Sequence, residues 1–480
     1  MTTYFLDKDP GYSRKLDITL WSDHWVMSEL ISELRMQHFP GKRKDPITRN
    51  LNVLLSNLYA CWSDDPELCL AVPMSPSSYS KRSRYNPSGV TKGMIEVVHT
   101  LKKAGMLELA TGFYDHSTKI GRTTRIWPTE ILSNDLKQLS EAFVKVAYSS
   151  FSEPVVLRSE KEKDIEYEDT PDTQRMRDNL RAYNWLLART FIDIPELDKP
   201  QITLGNNAIL SISQSDTFVR RIFNRSRWDK GGRFYGGWWQ NCPKEWRSKI
   251  HLNDQPTIED DYSGLHIVML YAWKGIDYWS SDGPNDDPYA VENISFIQSS
   301  SLVRSYAKAL MLMAINADND SKAFSAFRSS YAQQGDDDAQ HFSNVQLGEL
   351  LEALRNKHQP IAEYLGAGCG IDLMYKDSQI TASIINDFVE AGRPILSIHD
   401  SYIVCFGDDA RLRDAMQKGF EEVTGVKNVH LKRIGIGFHQ LLDSKADPTA
   451  YLDYKLSLEN AVNQHKSNGY IKRMERFYSH

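Results

Sequence analysis

The pattern of apolar and polar residues predicts a strand, a turn and a helix along the segment Ile258–Ala272. An apolar residue, three consecutive carboxylates and a tyrosine come first, which is typical of a strand that carries a carboxylate at its end. A Ser-Gly step then favours a turn. The helix is indicated by apolar residues at helical spacing, namely Leu265, Val268, Met269 and Ala272. The pattern places Asp261 beside the turn and makes it the first candidate for the carboxylate at the strand end. Asp260, whose side chain points to the other face of the strand, is the second candidate.

A second apolar pattern predicts a β-hairpin in the segment Arg393–Phe406. Two β-rich runs meet at His399-Asp400-Ser401, which places Asp400 at the tip of the hairpin. Two carboxylates on neighbouring strand ends can hold two Mg²⁺ ions about 4 Å apart, the arrangement that drives in-line phosphoryl transfer. We therefore predict Asp261 and Asp400 as catalytic residues and as ligands of two Mg²⁺ ions, for which Mn²⁺ can substitute.

The first 155 residues show the order helix, helix and β-hairpin. Thr91–Ala104 has apolar residues at helical spacing, and the strand-like pieces Met106–Thr111 and Thr124–Pro128 enclose a polar, basic loop. This order is typical of a winged helix, in which the second helix enters the major groove and the wing contacts phosphates. We predict DNA contacts for Lys92 and Arg122. The alternative is a small α+β domain whose lysines are only solvated.

The segment Phe218–Ile250 is strongly basic, although the whole chain has a net charge of −6. Nine Lys and Arg residues stand there against two acidic residues, a difference of +7, and aromatic residues are interleaved with them. Cations bind phosphates, and flat rings stack on bases. The segment is therefore predicted to bind nucleic acid; the alternative is a tryptophan-rich core with a solvated basic rim.

The apolar helical segment that begins near Ser301 carries two cations, Arg304 and Lys308. They lie one helical turn apart and project to the same side. Two cations on one face suit the phosphates of an incoming nucleotide. The alternative is an ordinary solvated pair, but the apolar remainder of the helix favours a position along a cleft.

The composition limits the class of protein. The chain has 480 residues, 41% of them hydrophobic and 25% charged, as in ordinary soluble globular proteins. The five cysteines show no C-x-x-C pairing, which favours a reduced, cytoplasmic protein without structural zinc. No apolar run approaches the roughly 18 residues of a membrane span. Because the net charge is −6, a nucleic-acid site must come from local basic patches.

Four of these segments occur in the order of a known family. The sequences DYSGLH, from Asp261, and IHDSYIV, from Ile398, resemble motifs A and C of the family A DNA polymerases and the related single-subunit, phage-type RNA polymerases. The segment Arg304–Asn316 resembles motif B, the fingers helix. Gly232-Arg233 and the following WQNCP are similar to the family's TGR…LQNIP segment before motif A. The resemblance covers residues 230–410.

The resemblance implies an α+β fold with a right-hand polymerase core, in which a palm with an antiparallel sheet stands beside helical fingers. An N-terminal helical, winged-helix-like region precedes this core. Together with the helix-and-hairpin pattern near the N-terminus, the resemblance suggests a winged-helix-like, DNA-binding region at 1–155, a linker with thumb-like helices at 156–217, and the polymerase core at 218–480. Within the core, the palm spans 218–279 and 371–445, the fingers 280–370, and a C-terminal helical tail 446–480.

The same resemblance implies template-directed nucleotidyl transfer by a DNA-dependent DNA polymerase, in phage or plasmid-type replication. The implied partners are a DNA template, a primer and nucleoside triphosphates. Contacts with the incoming nucleotide are implied for Arg304, Lys308, His266, Asn316 and Tyr262. Contacts with nucleic acid are implied for Arg233, Gln240, Asn241, Arg247, His399 and Ser401.

Three positions differ from the DNA-polymerase pattern. His266 stands where family A has a glutamate that blocks a 2′-hydroxyl, and Asn316-Ala317 stands where motif B ends in Tyr-Gly. Motif C reads His-Asp-Ser, the RNA-polymerase form. A single-subunit RNA polymerase or primase, with RNA as template or product, is therefore an open alternative. A catalytically inactive DNA-binding replication or regulatory protein is a second alternative.

Overall fold

The computed structural model describes most of the chain. The described residues are 8–79, 83–117, 120–148, 152–205, 208–292, 294–297, 299–336, 338–434, 456 and 465–479. Residues 435–445 of the predicted palm, and residues 446–464 of the predicted tail apart from Leu456, lie outside them.

Residues 8–148 form a unit in which helices cover a mixed sheet. Its helices are α1 (Trp25–His38), α2 (Lys44–Asp64), α3 (Gly93–Lys103) and α4 (Glu130–Glu141). Its strands are β1 (Ser13–Lys15), β2 (Leu20–Trp21), β3 (Cys69–Val72), β4 (Leu107–Ala110), β5 (Phe113–Asp115), β6 (Ile120–Arg122), β7 (Thr124–Pro128) and β8 (Ala147–Tyr148). The main sheet has the order β1-β3-β7-β4, with β1 parallel to β3 and the other pairs antiparallel.

The helix and hairpin predicted for this unit are confirmed by α3 and by the β4–β7 pair. The residues of α3 that are buried follow the spacing of one helical face, namely Met94, Val97, Val98 and Leu101. β4 and β7 pair antiparallel, and the loop between them contains a further hairpin, β5–β6. The assignment of this unit as a DNA-binding winged helix stays a prediction.

Residues from 152 onwards form a second mixed unit. Its strands are β9 (Val155–Leu157), β10 (Ile192–Asp193), β11 (Gln201–Thr203), β12 (Ile209–Ser211), β13 (Arg220–Phe223), β14 (Gly231–Tyr235), β15 (His251–Leu252), β16 (Gln255–Tyr262), β17 (Ile395–Ile398), β18 (Ser401–Cys405) and β19 (Leu431–Ile434). Its helices are α5 (Pro171–Leu187), α6 (Lys244–Arg247), α7 (Leu265–Trp273), α8 (Ser300–Asn316), α9 (Asp320–Gln334), α10 (Asn344–Lys357), α11 (Gly370–Glu390), α12 (Asp409–Thr424) and α13 (Asn468–Tyr478).

A six-stranded antiparallel sheet forms the centre of this unit. Its order is β10-β15-β16-β18-β17. The sixth strand, β19, pairs with the C-terminal half of β16 on the edge opposite β18. β17 and β18 form the hairpin that the sequence predicts, and α7 follows β16 as predicted. All five residues of β18 are buried, because its neighbours pair on both edges and α12 contacts it.

Helices α8, α9 and α10 contact one another, and α8 also contacts α11. The contacts are apolar, because each helix buries one face, as Leu310, Phe327 and Leu350 illustrate. The segment predicted as fingers, 280–370, thus consists mainly of helices from Ser300 onwards in its described part. The chain as a whole is a mixed α+β protein, and the assignment of palm and fingers stays a prediction.

Buried apolar side chains form two clusters, one from Tyr12 to Val144 and the other from Val155 to Phe420. Polar contacts connect the two units: Arg84 pairs with Asp169 at 3.0 Å, and Arg476 of α13 donates to Ser63 at 2.9 Å. The domain boundaries themselves stay predictions. Within the part of the chain that the structure describes, no helix is long and apolar enough to cross a membrane.

Candidate active site

Strand pairing brings Asp261 and Asp400 to adjacent strand ends. Asp261 is the register partner of Ser401, and the amide of Tyr262 donates to the carbonyl oxygen of Asp400 at 3.4 Å. Asp400 lies in the two-residue turn of the β17–β18 hairpin, where His399 has a φ of 56°. A positive φ is unfavourable for a residue with a side chain, so the surrounding structure must hold this turn.

The alternation of side chains along β16 separates its consecutive carboxylates. Asp260 is completely buried, and Arg413 and Arg433 donate to it at 3.2 and 2.9 Å. Glu259 and Asp261 point to the opposite face, since successive side chains of a strand alternate. Among the described residues, Asp261 has no ion-pair partner, which leaves its carboxylate available to a ligand.

Glu259 holds two residues that the sequence assigns to nucleic acid. Arg247 donates to the Glu259 carboxylate at 3.0 and 3.2 Å, and Ser401 Oγ donates to it at 2.9 Å. Glu259 is 3% exposed and Ser401 6%. In this structure Arg247 and Ser401 therefore brace the sheet beneath Asp261, through a buried carboxylate.

The surroundings of Asp261 and Asp400 disfavour two negative charges. Burial, and then the nearby Asp400, raise the pKa of Asp261 to about 7, while Lys308 and Lys432 oppose the rise. Burial, and then Asp377, raise the pKa of Asp400. Close carboxylates with raised pKa values favour the binding of a cation between them, and perturbed acids are common at functional sites.

Arg233 connects two polar side chains beside Asp400, those of Asp377 and His266. Its guanidinium donates to the buried Asp377 of α11 at 2.7 Å and contacts His266 Nε2 at 3.1 Å. Burial, and then Arg233, lower the pKa of His266 to about 4. Because an arginine only donates, Nε2 accepts and Nδ1 carries the proton. His266 Nδ1 and Asp377 Oδ1 are buried without a hydrogen-bond partner in the described structure.

A cavity of about 320 Å³ opens beside Asp261. Four cations line it, namely Lys244, Arg304, Lys308 and Lys432, together with the ring of Tyr289. Arg304 pairs with Asp287, whereas no ion pair involves the three lysines within the described ranges. Lys308 lies 5.7 Å from the centre of the Tyr289 ring. The cavity therefore combines one available carboxylate with an excess of positive charge.

Tyr262 and Asn316, which are both assigned to the nucleotide, lie in different places relative to this cavity. Tyr262 lines this cavity, but it is 3% exposed and its hydroxyl donates to the carbonyl oxygen of Met416 at 2.6 Å. Asn316 ends α8, does not line the cavity, and donates to the carbonyl oxygen of Leu312 at 2.7 Å. The structure thus brings Arg304, Lys308 and Tyr262 to one cavity, whereas neither Asn316 nor His266 lines it.

The remaining residues assigned to nucleic acid in this unit lie around the β17–β18 turn. Gln240 donates to the carbonyl oxygen of Ser397 at 3.0 Å, and Asn241 beside it is exposed. The ring of His399 meets that of Tyr235 edge to face at 5.8 Å. Burial is the main cause that lowers the pKa of His399. Gln240 therefore supports the turn, while Asn241 is open to a partner.

Lys92 and Arg122 belong to the N-terminal unit. Lys92 is exposed at the start of α3, and the guanidinium of Arg122 lies 5.5 Å from the centre of the Phe113 ring. Phe113 is 53% exposed, so a cation and a ring share one surface of the β5–β6 hairpin. Contact of either residue with DNA stays a prediction.

Sequence reasoning missed four residues of this site: Asp377, Lys244, Lys432 and Tyr289. Asp377 lies in an ordinary amphipathic helix, and Lys432 lies in a short strand whose own sequence contains no acidic residue. Lys244 belongs to the basic segment Phe218–Ile250, whose pattern predicts nucleic-acid binding but no particular role for this lysine. The one available signal was Asp377 itself, a carboxylate at a position where the helical pattern of α11 places a buried side chain.

Comparisons with known proteins establish no family. No family model matches the chain, and no curated protein matches it. Among solved structures, the chain is similar to the POL domain of Pol1 from M. smegmatis in complex with DNA primer-template and dNTP, at 12% identity and a TM-score of 0.31. The match covers 55% of this chain, which spans about half of that chain (50%). A TM-score of this size does not establish a shared fold.

Proposed function

We propose that this protein is a template-directed nucleotidyltransferase, most simply a DNA-dependent DNA polymerase of the family A type. One observation carries the proposal: Asp261 and Asp400 meet at adjacent strand ends, and the cavity beside Asp261 is lined by four cations. Paired carboxylates next to a cationic pocket are what transfer of a nucleotidyl group from a nucleoside triphosphate, with release of pyrophosphate, requires. We assign DNA template, primer and nucleoside triphosphates as its partners.

Asp261 and Asp400 would hold the two Mg²⁺ ions, or Mn²⁺ in their place. The raised pKa values of both carboxyls fit such a site, because a bound cation relieves the repulsion that raises them. Among the described residues no group of three or more His, Cys, Asp or Glu side chains could hold a metal. Mg²⁺ typically uses one or two carboxylates plus substrate phosphates, so the pair suffices. When bound, the ions supply charge neutralisation on the transferred phosphoryl group.

The cavity lysines bind and orient the triphosphate. Lys308, Lys432 and Lys244 act as point charges on phosphate oxygens, whereas Arg304 must first exchange Asp287 for a phosphate. The pair with Asp287 keeps Arg304 neutralised until a nucleotide is present. The site therefore attracts the polyanion through three lysines and closes on it with one arginine.

His266 is the group that we assign to the nucleotide sugar. Its Nδ1–H has no acceptor among the described residues and could donate to the oxygen of a 2′-hydroxyl, whereas a glutamate at this place would exclude that hydroxyl. The same observation favours the second candidate function, a single-subunit RNA polymerase or primase. We propose weak discrimination, with deoxyribonucleotides preferred and ribonucleotides accepted.

The remaining assignments belong to the same proposal. The N-terminal unit would bind duplex DNA through Lys92 and Arg122, and the segment around Arg233 would contact the primer terminus. We propose the division at residues 155 and 217 as the boundary of the polymerase core, and the cytoplasm as its location.

The test is an extension assay that crosses DNA and RNA templates with dNTPs and rNTPs, with and without a primer, in Mg²⁺ or Mn²⁺. We expect primed synthesis by the wild type and none by Asp261→Asn or Asp400→Asn. Asp372→Asn is the matched control, because Asp372 is a half-exposed carboxylate that pairs with Lys230. DNA binding without synthesis under every condition would favour the catalytically inactive DNA-binding protein.

A further inference from the structure

A second cavity lies between α5, the β13–β14 hairpin and α11. Its volume is about 280 Å³. Its lining includes an exposed ion pair, Asp172–Arg175, and six residues that bear on the choice of ligand: Asn179, Arg221, Trp228, Tyr375, Gln379 and Asn386. None of them lines the cavity beside Asp261, so this is a separate site, called here the α5–α11 cavity.

Arg221 is the unusual feature of the α5–α11 cavity. It is 5% exposed, and within the described part of the chain no carboxylate pairs with it. Its Nε donates to the carbonyl oxygen of Gly232 at 2.8 Å and its Nη2 to Ser378 Oγ at 3.0 Å. The described residues provide no partner for Nη1. Burial lowers the pKa of Arg221 to about 10.

Other buried arginines of this protein, unlike Arg221, form ion pairs with carboxylates. Their side chains are at most 10% exposed, and each pairs with a carboxylate; they are Arg14, Arg177, Arg433 and Arg473. A buried charge without a counter-charge is strongly unfavourable, and a bound anion removes that cost. The contrast indicates that the counter-charge of Arg221 comes from a ligand.

The other groups of the cavity define the class of that ligand. An arginine fork suits a phosphate group, and the amides of Asn179, Gln379 and Asn386 can donate to and accept from the edge of a base. The rings of Trp228 and Tyr375 offer surfaces on which a base can pack. The volume suits one small ligand. We propose that the α5–α11 cavity binds a nucleoside monophosphate unit, with its phosphate on Arg221.

The cavity is linked to the candidate active site through one turn of α11. Arg221 opposes Phe234 and Ile222 opposes Arg233 in the β13–β14 register, so the two arginines project from opposite faces of the hairpin. Arg221 contacts Ser378, and the preceding residue, Asp377, holds Arg233. A ligand on Arg221 therefore acts on the helical turn that positions Arg233.

The test is titration calorimetry of the full-length protein with dAMP in EDTA, which removes any dependence on the metal-assisted reaction. We expect saturable binding at one site and at least tenfold weaker binding by Arg221→Lys. Gln379→Ala, at a half-buried lining position, should weaken binding about fivefold by loss of one hydrogen bond, with an unchanged circular dichroism spectrum. Lys308→Ala, in the other cavity, should bind dAMP as the wild type does.

Two further probes separate the sources of the phosphate and can overturn the proposal. A 5′-phosphorylated trideoxynucleotide that competes with dAMP would identify the end of a strand as the ligand, and failure to compete would identify a free nucleotide. Adenosine binding as tightly as dAMP would refute a phosphate site. The proposal would also be refuted if Lys308→Ala lost dAMP binding while Gln379→Ala bound dAMP as the wild type does. That result would place the nucleotide beside Asp261. Because no synthesis is measured, failure of the polymerase proposal would leave this result unaffected.

Discussion

Asn substitutions at Asp260 and Asp261 should change stability in opposite directions, although the two residues are adjacent. Asp261 has a pKa of about 7 in the folded protein, whereas an unfolded aspartate has one of about 3.9. The folded state thus binds the proton more tightly, and stability is lost as the pH rises from about 4 through 7. The loss has an upper bound of about 4 kcal/mol. Asn does not ionise, so Asp261→Asn does not lose this stability as the pH rises. Without metal, the variant should therefore be more stable than the wild type at pH 8 and similar to it at pH 4.

Asp260 has the opposite environment. It is completely buried, and both Arg413 and Arg433 pair with it. Removing the carboxylate leaves Arg433 with Asp409 as its remaining partner and Arg413 with none among the described residues, and breaking a buried pair costs at most about 3–5 kcal/mol. Asp260→Asn should therefore be less stable than the wild type at pH 8.

The assay is urea unfolding followed by tryptophan fluorescence, at pH 4 and pH 8, in EDTA and in Mg²⁺. At ten times its dissociation constant, Mg²⁺ should stabilise the wild type at pH 8 by about 1.4 kcal/mol. It should have little effect on Asp261→Asn. Equal destabilisation by both substitutions at pH 8, or an Mg²⁺ effect that survives Asp261→Asn, would refute the assignment of Asp261 as the carboxylate that faces the metal.

Three other changes test the site. Asp377→Asn should lower the free energy of unfolding by about 3 kcal/mol and reduce synthesis, because it removes the buried partner of Arg233; Asp372→Asn on the same helix, whose pair is half-exposed, should cost under about 1 kcal/mol in urea unfolding. Lys308→Ala should raise KM for nucleotides about tenfold in steady-state extension, because it removes a charge assigned to the triphosphate. An unchanged KM would contradict that assignment. His266→Glu should sharpen, and His266→Gly relax, the preference for dNTPs in kcat/KM ratios; indifference to both would remove His266 from the sugar.

The local elements of the site could be predicted from the sequence. The strand before Asp261, helix α7, the β17–β18 hairpin and helix α8 all follow the expected positions. Each is encoded by the spacing of apolar residues within a short window, which the backbone periodicities of 2 and 3.6 residues translate directly into buried faces. The two carboxylates and the Arg304–Lys308 pair were visible for the same reason.

The partners of those residues could not be predicted in this way. Whether Asp260 or Asp261 faces the cavity depended on which edge and face of β16 the arginines of α12 and β19 occupy. Likewise, Ser401 and Arg247 turn out to hold Glu259, a contact between residues far apart in the chain.

The sequence by itself determined the secondary structure around the carboxylates and their place at strand ends. Only the tertiary structure decided that Asp377 holds Arg233 and that Lys244 and Lys432 join the cavity beside Asp261. It likewise decided that Arg221 has no carboxylate partner among the described residues. The physical reason is that periodicity reports which side of an element is buried, whereas the groups that meet there are set by long-range strand pairing and helix docking. Charge neutralisation depends on those distant groups, and so does the chemistry of the site.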